Sequence, residues 1–452
     1  MRIGIVGGGL MGLVLAYRLA AKGHCVTVLE RDRQLGGLAT YHDYGAFVWD
    51  RFYHVILPSD IHLISLLSDL GLAAKLRWSG TSTGFYVDGR VFSISTSLEF
   101  LKFPLISLVG KARLAMTMLY CAWLSDWKRL DAIPLDRWLI RMCGRATYSK
   151  LWQPLLLAKL GEHYKRVSAV FIWAYIKRLF GARHSTAQRE SLGYVSGGYR
   201  TVLARLYEEI ATAGGDTRTS VAVREIGTDS GPGVWIDHDG GREHFDKVIF
   251  TSPLDVLGKV AGPDLVGLDG GGRVEYLGVV CGVLVTRRPV MPFYVLNIAE
   301  PRVPFTGIIG MSNVAPIEET GGRYVTFLPK YVISDDPLLR APDEQVRASF
   351  LEGLHFMFPD RDWSDVETLH INRAFKVQPL QVIGYSALVP TVATRHPDFY
   401  VLNTSQFVNC TLNNNEVVGA VDAFVREHVA GFRESRAAVS SPVTVFAEAT
   451  IQ

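Results

Sequence analysis

A short apolar strand that runs straight into glycine constrains this chain more than any other feature. Arg2 to Val6 supplies the strand, Gly7-Gly8-Gly9-Leu10-Met11-Gly12 the turn and Leu13 to Ala21 a helix; Cys25 to Leu29 then forms a second strand that delivers Glu30. Each glycine has its own physical reason. Gly7 permits the tight strand-to-helix turn, Gly9 lets the backbone approach a pyrophosphate, and Gly12 lets helix and strand pack closely. The phosphates then sit on the free N–H groups of the helix start. Glu30 follows Gly12 by eighteen residues, about where a carboxylate meets ribose hydroxyls. Glycine-rich loops also serve as plain turns. Here strand, helix, second strand and acid all fall in register, so the stretch reads as a dinucleotide site.

The next segment, Gln34-Leu35-Gly36-Gly37-Leu38-Ala39-Thr40, bears on which dinucleotide. Glu30-Arg31 at the strand end followed by Gly36-Gly37 resembles the two-dinucleotide-binding-domain flavoproteins. The chain is similar in this way to the flavin amine oxidase and protoporphyrinogen oxidase superfamily, which is related to UDP-galactopyranose mutase. The resemblance implies FAD as cofactor, with Gly7, Gly9, Leu10, Met11, Gly12, Glu30, Arg31, Gly36, Gly37 and Leu38 around it. It also implies a valine that clasps adenine through its backbone, for which Val221 and Val223 are the candidates in an expected strand Val221-Ala222-Val223. Near the other end, Val417-Val418-Gly419-Ala420 resembles the flavin-binding helix of the superfamily. Asn415 is expected to cap that helix, and Asn415, Val417 and Val418 to contact the cofactor. Relatives of the branch usually carry an Arg-Gly pair where Leu412-Asn413 stand, which departs from the pattern.

A chain of 452 residues is too long for one ordinary core, so two joined domains are expected. The predicted fold class is α/β: a Rossmann-like FAD-binding domain from 1–80, 190–260 and 390–432, with an inserted α+β substrate domain of mixed sheet plus helices from 81–189 and 261–389. Residues 433–452 read as a tail. The balance of 47 basic to 44 acidic residues gives no argument for nucleic acid. Five scattered cysteines show no metal-binding spacing, and no metal is expected. Scattered thiols and a start that reads as a buried strand suggest a cytoplasmic protein. The oligomeric state is left open.

Leu98 to Leu124 is the most apolar long region, but Lys102, Pro104, Gly110, Lys111 and Arg113 interrupt it, so no transmembrane span is expected. Two readings remain: a helix covering the substrate cavity, or peripheral membrane contact through 98–124. The aromatic stripe Trp152, Phe171, Trp173 and Tyr175 reads as core.

Tyr41 to Ile56 alternates as strands do, and in the recognised relatives a segment at this place runs beneath the flavin. Asp50, Arg51, Tyr53 and His54 are therefore site candidates. Period-two alternation puts Tyr324, Thr326, Leu328 and Lys330 on one face of a strand. Amine oxidases keep a lysine near flavin N5, so Lys330 is the candidate for that role, against the plainer reading of a lysine just past a strand end. Gln378-Pro379 resembles an element that lies against the ring. The function implied is oxidation of a small-molecule substrate by hydride transfer to flavin N5, at C–N, C–O or C–C, in biosynthesis. The alternative is a non-redox sugar-nucleotide mutase resembling UDP-galactopyranose mutase. That chemistry needs cavity arginines for a diphosphate, and Arg137, Arg141, Arg145, Arg166, Arg178 and Arg183 are the candidates.

Overall fold

A computed structural model describes residues 1–181, 190–267, 274–429 and 432; the 433–452 tail and Arg183 lie outside it. The fold is α/β, built on two sheets. The first is a five-stranded parallel sheet in the order Phe399–Val401, Lys247–Phe250, Arg2–Val6, Cys25–Leu29, Asp216–Arg218. One face is covered by the helices Leu10–Ala20, Tyr199–Thr212 and Asn414–Phe424, whose apolar sides share a core with Ile3, Ile5, Val26 and Val28. A three-stranded antiparallel meander, Val223–Gly227, Val234–His238 and Gly241–Phe245, packs on the other face.

The second sheet has seven strands, in the order Val366–Pro379, Tyr276–Thr286, Tyr324–Ile333, Gly307–Gly310, Val295–Ile298, Thr83–Val87, Arg90–Ser93. It is antiparallel except where Val295–Ile298 runs parallel to Thr83–Val87. Tyr276–Thr286 is buried along its whole length, as an apolar strand covered on both faces should be. Its odd residues Val279, Cys281 and Val283 join a core with Trp49, Tyr53 and Phe327. Its even residues Val280 and Leu284 pack with Phe350 and Leu354 of the Asp343–Met357 helix. A layer of helices between Ser97 and Gly181 lies against the same sheet.

Asp88 and Gly89 turn a hairpin between Thr83–Val87 and Arg90–Ser93, with φ of 50° and 72° at the turn, the left-handed pair that a two-residue turn of this hand requires. Three expectations change. Val221 and Ala222 precede the strand, which begins at Val223; Val221 N–H donates instead to Glu30 C=O at 2.8 Å. The Asp216–Arg218 edge strand was not expected, because three polar residues carry no alternation, yet they pair in register with Thr27–Leu29. Leu98 to Leu124 is two helices, Ser97–Lys102 and Leu108–Trp123, broken at Phe103-Pro104. Neither contributes to the cavity described below. The Ala169–Gly181 helix stands between, with Trp173 Nε1 donating to Cys121 C=O at 3.1 Å.

Candidate active site

The two sheets enclose a cavity of about 1480 Å³, more than the ~300–1,000 Å³ common for one small ligand. One end is backbone. Gly7, Gly9, Leu10, Met11, Glu30, Arg31, Gly36, Gly37 and Leu38 line it. The Leu10–Ala20 helix has no side-chain cap at Gly9, which leaves its first N–H groups and the positive end of its dipole for an anion. Gly12 lies beneath: a Cβ there would stand 2.0 Å from the Gly7 carbonyl oxygen. Gly36 and Gly37 have φ of 120° and 59°, and a Cβ on Gly37 would come within 3.1 Å of Gly9 Cα. Glu30 Oε2 accepts from Gly8 N–H at 2.7 Å and Oε1 from Asp32 N–H at 2.8 Å, which pins the strand end beside the glycines. Val221 and Val223 both line the same end. A cradle of bare backbone facing an open cleft is what a pyrophosphate and an adenosine require, so the residues present fit FAD.

The C-terminal helix meets the cavity differently from expectation. Leu412, Asn413, Asn414 and Val417 line it. Asn413 is the cap, accepting from Glu416 N–H at 3.0 Å. Asn415 is buried away from the cavity, its Oδ1 accepting from His62 and Leu63 N–H at 2.9 and 3.2 Å. It therefore serves the start of the Ile61–Asp69 helix. Val418 is fully buried in the core behind Val417.

The other end is walled by side chains. Trp152, Leu155, Leu156 and Lys159 form one face of a helical run, Phe171, Ile172 and Tyr175 come from the next helix, and Val279, Cys281, Ile309 and Tyr331 from the seven-stranded sheet. Phe171 and Trp173 are buried in the helical core, as expected, with Trp152 and Tyr175 packed against it; Trp152, Phe171 and Tyr175 also line the cavity. Lys159 lies between two phenols, with Nζ 4.5 Å from the Tyr175 ring centre and 5.0 Å from that of Tyr331, and donates to the Tyr175 hydroxyl. Burial lowers its pKa, but the neighbouring Tyr175 and Tyr331 outweigh that and leave it above the ordinary lysine value. Tyr331 Oη and Tyr53 Oη are 2.6 Å apart, and burial raises both phenols, so both stay protonated at neutral pH.

Lys330 lies on the other face of its strand. It pairs in register with Val280, whose face packs on the Asp343–Met357 helix, while its neighbours Pro329 and Tyr331 line the cavity. Alternation along the strand is as expected; the face that looks inward is the odd one. Of the three lysines that line the cavity, Lys159, Lys259 and Lys376, Lys159 is the one set among the aromatic side chains. Its signal in the sequence is the spacing of Trp152, Leu155, Leu156 and Lys159 at i, i+3, i+4 and i+7, a helical stripe that ends on a cation.

Arg51, Tyr53, His54 and Gln378 line the cavity as expected. Arg51 lies 3.4 Å from Asn372 Oδ1. Burial lowers His54 to about 4, against a backbone hydrogen bond at Phe52, and its Nδ1 lies 3.8 Å from Asp50 Oδ2. Asp50 is raised by burial to about 7, against the Tyr199 N–H it accepts at 2.8 Å. Because the folded state prefers protonated Asp50, its contribution to stability is full below pH 3.8 and is lost as pH rises through about 7. His54 works the other way: its contribution is present above 6.5 and lost as pH falls towards 4. Asp50→Asn keeps an acceptor for Tyr199 N–H and removes the first titration. Relative to the parent it is expected to gain about 2 kcal/mol between pH 5 and pH 8. Urea unfolding at the two pH values measures this, and a pH-independent difference would show that Asp50 ionises normally.

An uncapped helix start over a parallel sheet, glycine loops beside it and an aromatic compartment beyond together define a flavoprotein of the dinucleotide-binding oxidoreductase class. A family model for flavin containing amine oxidoreductase matches residues 10–401. The chain belongs to that family, and FAD is its cofactor. It is 36% identical over 74 residues to protoporphyrinogen oxidase 2 of Arabidopsis thaliana, a match covering 16% of this chain and 15% of that enzyme. A putrescine oxidase bound to putrescine superimposes with a TM-score of 0.73 at 15% identity, covering 95% of this chain and 99% of that one. A reduced UDP-galactopyranose mutase superimposes at 0.69 and 17% identity, covering 95% and 94%. Among the described residues no helix is long and apolar enough to cross a membrane.

Proposed function

We propose that the chain oxidises a small, largely apolar molecule bearing an anionic group, removing hydride at a C–N, C–O or C–C position in a biosynthetic pathway. One observation carries this reading: a single cavity joins a backbone cradle suited to a dinucleotide with an aromatic compartment in which the Lys159 ammonium lies between two phenols. FAD, when bound, supplies the hydride acceptor. In this reading Gly7, Gly9, Leu10 and Met11 hold the diphosphate, Glu30 and Arg31 the ribose end, Gly36, Gly37 and Leu38 the second loop, and Val221 and Val223 the adenine. Leu412 to Asn414 and Val417 close the ring end. Lys159 orients the anionic group of the substrate against Tyr331 and Tyr53. Neutral His54, backed by Asp50, receives the proton released as hydride leaves.

The mutase alternative asked for arginines of the helical insert in the cavity. Arg137, Arg141 and Arg145 do not line it, Arg166 pairs with Glu275 and Arg178 with Asp60. Arg373, which does line it, is paired with Asp343. Anaerobic mixing of the purified yellow protein with candidate metabolites tests the proposal: bleaching of the flavin is the expected result. Turnover that needs prior dithionite reduction would favour the mutase, and a protein that takes up no FAD would sink both.

A further inference from the structure

The Leu108–Trp123 helix is amphipathic in the wrong sense for a protein surrounded by water. Its inward face carries Gly110, Lys111, Leu114, Thr117 and Cys121, all buried. Its outward face carries Val109, Met116, Leu119, Tyr120 and Trp123, with Val109 71%, Met116 69% and Trp123 86% exposed. The polar groups turned inward are satisfied there: Lys111 Nζ donates to Leu101 C=O at 2.6 Å and Thr117 Oγ1 to Arg113 C=O at 2.8 Å. Leu98 and Leu101 of the preceding helix and Leu108 extend the exposed apolar surface. Eight of the fifteen exposed large hydrophobic residues among the described residues fall between Leu98 and Trp123. A contiguous apolar surface of this kind marks an interaction site.

The charge around it selects the partner. Between residues 97 and 150 there are nine lysines and arginines against four acids, whereas the whole chain has 47 against 44. Lys111 is turned into the fold, as are two of those acids, Glu99 onto Ser93 and Ser95 and Asp131 onto Ser386, and Arg129 pairs with Asp126 at 2.9 Å. Arg113 donates to the Arg141 and Met142 carbonyls at 2.6 and 3.0 Å, which brings the Arg141 to Arg145 turn against the helix. Lys102 directly follows Leu101, and Lys128 and Arg129 follow Trp123 by a few residues. An apolar stripe ending in tryptophan and bordered by cations suits the boundary between acyl chains and anionic headgroups.

We infer that this face seats the protein on an anionic phospholipid bilayer, with Met116, Leu119 and Trp123 entering the acyl boundary and the flanking cations meeting headgroups. The helix lies in the plane of the surface and does not cross it.

Co-sedimentation of the full-length FAD-loaded protein tests this, with vesicles of phosphatidylcholine alone and of phosphatidylcholine with phosphatidylserine. Binding is expected to the mixed vesicles and to weaken with salt. The triple variant Met116→Glu, Leu119→Glu, Trp123→Glu is expected to bind on the order of 100-fold more weakly. Its flavin content and melting temperature should match the parent, since all three side chains are exposed. Arg141→Glu with Arg145→Glu should lower affinity only for the mixed vesicles, about 5-fold per cation removed. Brominated lipid should quench Trp123 emission, read against a Trp123→Phe control. A protein left in the supernatant with both vesicle types would overturn the inference. So would a concentration-dependent dimer that the triple variant dissolves, which would make the occupant a second copy of the chain.

Discussion

Gly9→Ala folds like the parent and loses its flavin. Gly9 has φ of −67°, which any residue adopts, and a Cβ there meets nothing within 4 Å. The protein without cofactor should therefore keep its stability to within about 0.5 kcal/mol. The added methyl projects into the cleft over the helix N-terminus, where a pyrophosphate must approach the backbone, and FAD affinity is expected to fall about 100-fold, or ~2.7 kcal/mol. Gly12→Ala is the contrasting case. Its methyl would stand 2.0 Å from the Gly7 carbonyl oxygen, a backbone atom that cannot swing aside, so both stability and FAD should suffer, stability by about 2–4 kcal/mol. The flavin-to-protein absorbance ratio and the urea midpoint of the apoprotein separate the two. If Gly9→Ala keeps parental FAD affinity, the diphosphate does not lie on this turn.

Lys159→Met is expected to remain yellow and to be nearly inert. Methionine keeps most of the stem that packs beside Leu155 and Leu156 while removing the ammonium between Tyr175 and Tyr331. The Tyr175 hydroxyl then loses its donor at the cavity wall. Removing a preorganised charge from a binding site costs on the order of 100-fold or more in rate. Anaerobic flavin reduction by whichever substrate bleaches the parent should slow by that factor. Lys330→Met, on the far face of its strand, is the control and should reduce at the parental rate. Equal losses in both variants would mean that Lys159 has no special role.

The contrast between these lysines shows where the sequence was readable. The turn from Val6 to Gly12 was legible because its demands are local: a carbonyl below, a phosphate above, no room for side chains. The alternation around Lys330 was also legible, yet parity alone does not say which face of a strand looks inward. That depends on the Asp343–Met357 helix, which arrives later in the chain to cover the even face. Asn415 illustrates a second limit. Three consecutive asparagines are each competent caps, and only the packing of Leu63 against the C-terminal helix decides that Asn413 serves its own helix while Asn415 serves another. Trp152, Phe171 and Tyr175 pack in the helical core as their composition predicts; that they also face the cavity was not legible, because a cavity wall and a core have the same composition and differ only in whether the facing side is filled.

The parallel sheet carries a consequence for how the protein is made. Its central strand is Arg2–Val6, but an edge strand is Phe399–Val401, and Arg18 Nε is bonded to Asp422 Oδ1 at 3.0 Å across 404 residues. Leu412, Asn413, Asn414 and Val417, at one wall of the cavity, are synthesised long after the glycine turn at the other. A nascent chain therefore carries a dinucleotide turn with no opposite wall throughout most of its elongation. Contacts so remote in sequence are slow to close, and the half-built cleft must wait, exposed, for its lid of late residues. Both walls of the cofactor cleft therefore exist only once the Asn414–Phe424 helix has docked on the sheet.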